Sequence, residues 1–271
     1  MSTTIDQAFV EQFEAEVFVA YQRQGSKFRD TIRTVNGVTG DRTTFFKVGK
    51  GAATQKSRHS VIPPMNLDHS NVECVLADWY AGDWIDKLDL LKTNIDEMNI
   101  VASAGAYALG RTTDQLIIDA LMTTTVTLAI GTGYDKTSVL STFKGFNDRD
   151  VPDDGGRFVA VSPGAWNQLM QIPEFISADY VGREDLPWKT GTQAKRWMNI
   201  LWYMHSGLTA VSTVRKCLAY HHLSCGHAIG ADIQTDMTWH GDRASWWVMN
   251  FMSMGAQLID ATGAYIVPVT D

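Results

Sequence analysis

One segment of the chain limits the folds open to it, because it lacks the residues that a core requires. Residues 42–67 carry five basic side chains, no Asp or Glu, and few large apolar residues among glycines, alanines and the Pro63-Pro64 pair. Such a stretch buries too little apolar surface to fold by itself. We therefore predict an extended, exposed limb in this part of the chain.

Strand-like sequence lies on both sides of this limb. Residues 31–48 are rich in β-branched and aromatic side chains around Asn36-Gly37, a dipeptide that suits a two-residue hairpin turn. A β-ribbon is predicted to begin there. Alternation through residues 72–76 predicts a second strand, which brings the chain back as the other side of a long loop.

Helical periodicity precedes and follows the limb. Apolar residues recur every four positions from Phe9 to Tyr21, which predicts an N-terminal helix that ends by Gly25. Apolar residues at spacings of three and four predict a helix, or a broken pair of helices, over residues 83–122. A continuous helix of that length spans about 60 Å, which is long for a globular domain.

The beginning of the second helical region is acidic. Between Glu73 and Glu97 the sequence contains seven acidic residues and two lysines, counting both ends. An acidic stretch therefore directly follows the basic limb.

The remainder of the chain is typical of an α/β segment that ends in strands. A Thr- and Gly-rich passage over residues 123–133 marks the best internal boundary. The patterns beyond it predict a helix over 136–146, a turn over 153–156, a buried strand over 157–162, a helix over 163–175, and strands around 247–251 and 264–269.

Charge and cysteine content exclude several classes of protein. The 30 acidic and 23 basic residues give a net charge of −7, whereas a dedicated nucleic-acid binder needs a basic surface. Three cysteines are too few for a disulfide framework, so we expect a reducing cytoplasm. The stretches without formal charge, residues 197–214 and 244–259, contain many polar side chains, and no membrane span is predicted.

Catalytic motifs are absent or incomplete in the sequence. The glycine-containing segments 48–54 and 130–137 lack the P-loop pattern, and neither G-x-S-x-G nor H-E-x-x-H occurs. Cys217, His221 and Cys225 would share one face of a helix and offer metal ligands. Buried cysteine beside surface histidine is the commoner situation and the preferred interpretation. We predict neither enzyme activity nor a cofactor or metal.

The order of the segments resembles the major capsid proteins of tailed bacteriophages. Four runs carry the resemblance: DWYAGDWIDKLDLLKTNIDE at 78–97, ASAGAYALGRTTDQLIIDAL at 102–121, FNDRDVPDDGGRFVAVSPGAWNQLM at 146–170, and EFISADYVG at 174–182. The first two are similar to the approach to that family's long spine helix, including Asp114. The last two are similar to the strand and helix of its axial domain. The runs are specific in combination, and the resemblance covers nearly the whole chain.

The resemblance implies an α+β fold, the tailed-phage major capsid protein fold, with four parts. These are an N-terminal arm at 1–41, an extended β-hairpin loop at 42–77, a peripheral domain with a spine helix and a sheet at 78–122 and 233–271, and an α/β axial domain at 123–232. It also implies an icosahedral virion shell of pentamers and hexamers, assembled in the host bacterial cytoplasm around double-stranded DNA without sequence recognition. A separate scaffolding protein, a portal and a decoration protein are the further partners implied.

The opposed charges suggest where neighbouring copies meet. We expect the basic limb of one copy to contact the acidic stretch of the next, in a head-to-tail arrangement that closes into rings. The residues predicted at this interface are Lys47, Lys50, Lys56 and Arg58 on one side and Asp83, Asp86 and Asp89 on the other. The alternative is that both charged runs simply face solvent, since exposed ion pairs contribute little.

Two alternatives to a phage coat stay open at this point. The first is a bacterial shell protein of the encapsulin type, which has the same fold and encloses enzymes instead of DNA. The second, from another class, is a soluble metal-dependent enzyme built on the Cys217, His221 and Cys225 cluster. An enzyme of that kind would be a small oligomer, whereas either shell protein would form large particles.

Overall fold

The computed structural model of the chain describes residues 22–92, 96–128, 133–176 and 194–270. The N-terminal helix predicted from Phe9 to Tyr21 lies outside these residues. Within them the strands are β1 Arg33–Asn36, β2 Arg42–Val48, β3 His69–Val75, β4 Ala77–Asp86, β5 Arg157–Val161, β6 Ala194–Trp197, β7 Ile200–Met204, β8 Ala210–Val211, β9 Val214–His221, β10 Cys225–His240, β11 Ser245–Leu258 and β12 Ala264–Thr270. The helices are α1 Lys87–Lys92, α2 Glu97–Met122, α3 Lys136–Asn147, α4 Pro163–Leu169 and α5 Pro173–Ile176.

The larger of two compact units contains residues 26–77, 112–231 and 253–271. Its main sheet has the strand order β12-β9-β5-β7-β6, and β8 pairs with β9 at one side. The β5–β7 pair is parallel, whereas β12–β9, β5–β9 and β6–β7 are antiparallel. The final strand of the chain therefore lies in the same sheet as the strands of the α/β segment.

The core of this unit lies where α3 and α4 cover the sheet. Asp135 and Ser162 begin these helices by accepting hydrogen bonds from the N–H groups of Ser138 and Ala165, and Pro163 occupies the first turn of α4. The largest fully buried side chains include Trp202, Arg157, Tyr220, Tyr265 and Phe146. The helix predicted at 136–146 and the buried strand predicted at 157–162 are confirmed by α3 and β5.

The smaller unit contains the described residues 22–25, 78–92, 96–111 and 232–252. Asn250 on β11 is fully buried there, and its amide donates to the carbonyl of Ala102 on α2 (3.0 Å) and accepts from Thr235 Oγ1 (2.5 Å). Gly105 lacks the side chain that would otherwise collide with this amide. A buried amide and a glycine thus fix the contact between helix and sheet.

The predicted limb is a β-hairpin with a long irregular end. Strands β2 and β3 pair antiparallel from Arg42↔Val75 to Val48↔His69. Gly49 N–H then donates to Asp68 O (2.7 Å), and beyond this bond the chain forms an irregular loop. The second strand predicted at 72–76 is confirmed by β3.

The predicted Asn36-Gly37 hairpin turn is wrong. Gly37 does adopt a positive φ of 69°, but β1 and β2 do not pair with each other. Strand β1 lies parallel to β10, with Arg33 opposite Gly226, and β2 pairs with β3 instead. The partner of β1 is distant in sequence, and a local turn signal carries no information about it.

The helix predicted from Asp83 begins later than expected. Residues 83–86 belong to strand β4, the broken pair of helices begins at Lys87, and Asp86 accepts a hydrogen bond from the N–H of Leu88 in the first helix (2.7 Å). β4 forms an edge of the sheet β1-β10-β11-β4, and this pairing outweighs the helical spacing of its apolar residues. The helix predicted at 163–175 is likewise divided into α4 and α5, because Pro173 cannot continue a helix. No helix among the described residues is long and apolar enough to cross a bilayer.

Candidate functional site

The base of the limb hairpin is anchored inside the larger unit. Phe45 is 2% exposed and packs with Cys74 and Ala228, while the guanidinium of Arg33 lies 5.5 Å from the centre of its ring. Gly226 permits this packing, since a Cβ there would lie 2.5 Å from the Phe45 ring. The hairpin therefore starts from a fixed position.

The outer part of the limb is exposed and apolar at several positions. Val61 and Ile62 are 90% and 74% exposed, and Met65 and Phe46 are also exposed. The hydrogen bonds inside the loop are local, from the N–H and hydroxyl of Ser60 to the carbonyl of Ser57. Adjacent apolar side chains in water on such an extension are typical of a surface that binds a partner.

The four basic residues predicted at the interface differ in their surroundings. Lys47 makes a half-buried ion pair with Asp260 (Nζ to Oδ1, 2.9 Å). Burial raises the pKa of Asp260, but hydrogen bonds from Lys47 and Thr262 outweigh it and hold that pKa below the usual value. Lys50 pairs with Asp150 at the same distance, with both side chains exposed. Lys56 and Arg58 are exposed on the loop.

The three acidic residues predicted on the other side lie around the β4–α1 junction. Asp83 accepts a hydrogen bond from the N–H of Trp84 (2.8 Å), and Asp86 from the N–H of Leu88. Asp89 pairs with Lys92 (Oδ1 to Nζ, 3.2 Å). All three residues are exposed. The contact between this stretch and the limb of another copy stays a prediction.

Exposed aromatic side chains on the same strand were not predicted as a surface. Trp79 and Tyr80 on β4 are exposed, and Trp84 is flanked by Trp247 (ring centres 4.7 Å apart) and by the guanidinium of Arg243 (4.5 Å). The high tryptophan content of the chain is the sequence signal for this surface. The sequence alone does not locate this surface, because Trp84 also fits the helical spacing that begins at residue 83.

A buried carboxylate fastens the segment before β1 to helix α2. Asp114 Oδ1 accepts hydrogen bonds from Ser26 Oγ (2.6 Å), Lys27 N–H (2.9 Å) and Phe28 N–H (3.1 Å). Its Oδ2 accepts from His205 Nε2 (2.9 Å), and both side chains are fully buried. Asp114 thus accepts hydrogen bonds from the segment that leads into β1.

The environment of Asp114 favours its charged form. Burial raises the pKa of this carboxyl, but the hydrogen bonds from His205, Ser26 and the Phe28 N–H together outweigh burial and lower it. Gly207 N–H donates to His205 Nδ1 (3.2 Å), which leaves the Nε2 proton directed at the carboxylate. Asp114 is therefore an ionised, fully partnered group inside the protein.

Cys217, His221 and Cys225, which form the alternative metal cluster, do not share one face of a helix. These residues lie on strand β9, its end and the start of β10 rather than on one helix, so the helical spacing does not apply. Cys217 and Cys225 are buried and form no disulfide, and burial raises the pKa of Cys225 to about 12, which keeps it a thiol. His221 instead hydrogen-bonds Asp154 (Nε2 to Oδ1, 3.0 Å).

Comparisons with known proteins identify the family. The family model described as phage capsid protein matches residues 5–270. No curated protein sequence matches the chain. Neither the family match nor the fold favours the encapsulin or enzyme alternatives.

Solved capsid structures share the fold at low sequence identity. A structure from Mycobacterium phage Che8 is 16% identical with a TM-score of 0.74, and 96% of this chain and 97% of that chain are covered. The capsid of cyanophage P-SCSP1u is 15% identical with a TM-score of 0.74, covering 100% and 96%. The capsid of Myoviridae phage XM1 is 11% identical with a TM-score of 0.70, covering 99% of both chains. Because the family match spans nearly the whole chain, the chain belongs to the phage capsid protein family, and it shares its fold with these phage structures.

Proposed function

We propose that copies of this chain assemble head to tail, with the limb of one copy lying on the acidic β4–α1 junction of the next. The observation that carries the proposal is the exposure of Val61 and Ile62 on a loop that has no core of its own. Burying these side chains against another copy would remove about 25 cal/mol of unfavourable free energy per Å² of apolar surface. Opposite charges on the limb and the junction would fix how the two copies are aligned.

The basic residues nearest the end of the limb are the best candidates to align the two copies. Lys47 already has a half-buried partner in its own chain, and Lys50 has an exposed one. Lys56 and Arg58 lie farther along the loop and are matched by Asp83 and Asp86 at the junction. Each exposed pair contributes less than about 1 kcal/mol, but a shell repeats it in every subunit contact.

The product of this assembly is an icosahedral shell around double-stranded DNA, made in the host cytoplasm. The net charge of −7 supports a container that encloses DNA without gripping it, because basic contacts would hold the packed phosphates to the wall. The parts implied by the resemblance are the arm 1–41, the extended loop 42–77, the peripheral domain 78–122 with 233–271, and the axial domain 123–232. Strand β12, at the end of the peripheral range, pairs with β9 in the main sheet and so packs with the axial strands instead. Separately encoded scaffolding, portal and decoration proteins complete the particle.

A charge exchange tests the head-to-tail contact. Lys56→Glu with Arg58→Glu places like charges together, and Asp83→Lys with Asp86→Lys does the same from the other side. Each double variant should yield folded subunits that fail to form shells in negative-stain microscopy. The chain carrying all four changes should form shells again, since one copy supplies each surface.

Matched controls separate this contact from a general effect of charge. Lys144→Glu changes an exposed lysine on α3, whose nearest carboxylate, on Asp148, is 3.9 Å away, and should leave assembly unchanged. Circular dichroism should show the same fold in every variant. Normal shells from the Lys56→Glu, Arg58→Glu variant would contradict the proposed contact.

A further inference from the structure

Three side chains with metal-binding atoms converge at one end of the main sheet. Asp154 lies in the turn before β5, His221 is the last residue of β9, and His222 begins the turn that leads to β10. One ligand atom from each residue lies within 4.8 Å of the other two. Within residues 22–92, 96–128, 133–176 and 194–270, this is the one group of three such residues.

The spacing of the first two atoms is close to that of a metal site. Two ligand atoms that bind a tetrahedral ion at about 2.0–2.1 Å lie about 3.3 Å from each other. His221 Nε2 and Asp154 Oδ1 are already 3.0 Å apart. For an ion to bind, the proton on His221 Nε2 moves to Nδ1, the Leu223 N–H that now donates to Nδ1 (3.4 Å) turns away, and Nε2 and Asp154 Oδ1 move slightly apart.

The third ligand atom has no partner at present. His222 Nδ1 is buried without a hydrogen bond among the described residues. A buried imidazole nitrogen that leaves its lone pair unused is costly, and few such atoms occur in folded proteins. An ion bound to Nδ1 would satisfy it.

Gly156 creates the space between these atoms. A Cβ at this position would overlap His222 Nδ1 and would lie 2.9 Å from Asp154 Oδ1. The backbone also holds the ligands in place, since Gly156 N–H donates to Asp154 Oδ1 (2.8 Å) and His222 N–H donates to Gly156 O (2.9 Å). The cluster is therefore supported by its own turn.

We propose that Asp154, His221 and His222 bind a divalent transition-metal ion, with Zn²⁺ the best match to the ligands. Two imidazoles and one carboxylate form a familiar zinc ligand set, with water as the fourth ligand. The buried cysteines take no part, so the site differs from the Cys217, His221 and Cys225 cluster considered as an alternative from the sequence.

The position of the site indicates a structural role for the ion. Arg33 N–H, at the start of β1, donates to the carbonyl of His222 (3.0 Å). An ion would thus join the turn before β5 to the turn after β9 at the point where β1 begins. This role is independent of the head-to-tail contact, since each copy supplies all three ligands.

Zinc titration of unassembled full-length subunits, stripped with a chelator, tests the site. Calorimetry should give one Zn²⁺ per wild-type chain, and Co²⁺ should give the visible absorption of a tetrahedral nitrogen and oxygen site. Asp154→Asn and His222→Gln should each weaken binding more than about tenfold, since each removes a ligand. His240→Gln removes an exposed histidine near Asp242 and should bind as wild type does.

The result does not depend on the folding of one variant. The side chain of Asp154 is 48% exposed, so Asp154→Asn is expected to fold even if His222→Gln does not. Zinc should raise the melting temperature of wild type and of His240→Gln but not that of Asp154→Asn. Substoichiometric zinc in wild type, or wild-type affinity in Asp154→Asn, overturns the proposal.

Discussion

Apolar side chains are buried in the main sheet and exposed in the outer limb. In the sheet, Val159, Ala160 and Val161 are fully buried between strands and helices of the same chain. In the limb, Val61 and Ile62 are exposed, and no helix or strand among the described residues packs over them. The sheet is complete within a single copy, whereas we propose that the limb is completed by a partner copy. Stability and assembly are therefore expected to depend on different residues.

Strand β2 contains both a buried and an exposed apolar residue. Phe45 points into the larger unit, whereas its neighbour Phe46 is 72% exposed, because successive side chains of a strand face opposite sides. The same hairpin thus carries an anchor and a binding surface. Substitutions on the two sides should have distinguishable consequences.

The largest loss of stability is expected for a substitution of Asp114, which lies inside the protein with all its partners in the same copy. Asp114→Asn keeps the shape of the side chain but places an amide N–H₂ among four donors. We expect a loss of about 3–5 kcal/mol in the free energy of unfolding, as for other broken buried pairs. Urea unfolding of unassembled subunits measures it, and a loss below about 1 kcal/mol would contradict the anchoring role.

The pH dependence of that loss gives a second measurement on the same variant. The folded-state pKa of Asp114 is below the unfolded value of about 3.9, so its carboxylate adds stability above that value. This stability is lost as the pH falls through the folded pKa. The difference between wild type and Asp114→Asn should therefore shrink in acid and stay constant near neutral pH.

A smaller and more selective effect is expected from the adjacent phenylalanines. Phe45→Ala leaves a cavity beside Cys74 and Ala228 and should cost about 3 kcal/mol of unfolding free energy. Phe46→Ala should change that free energy by less than about 0.5 kcal/mol while reducing the yield of shells. Thermal melts paired with sedimentation of assembly reactions compare the two. Equal destabilisation by both changes would remove the distinction between anchor and surface.

Local sequence predicts the limb but not the partners of its neighbours. Residues 42–67 alone predict the limb, because the segment has no acidic residues and few large apolar ones. The partner of β1 could not be predicted, because Arg33 lies opposite Gly226. Residues 83–86 fit a helical spacing, but they form the end of β4 because that strand pairs within the sheet.

The chemistry of the two histidines shows the same limit. A helix would place His221 beside Cys217 and Cys225, whereas the end of β9 places it beside Asp154, 67 residues earlier. The aspartate and His222 converge only when β5 and β9 pair, with Arg157 opposite His221. Asp114 was singled out within a family-like run, but its partners Ser26 and His205 required the fold.

Amide hydrogen exchange over residues 55–67, compared between unassembled subunits and shells, most directly tests the claim that the limb is completed by another copy. In subunits these amides should exchange rapidly, because the loop is exposed and its hydrogen bonds are few and local. In shells they should become protected, while the amides of β5 and β9 stay slow in both states. Equally rapid exchange of the limb in shells and subunits would contradict the account.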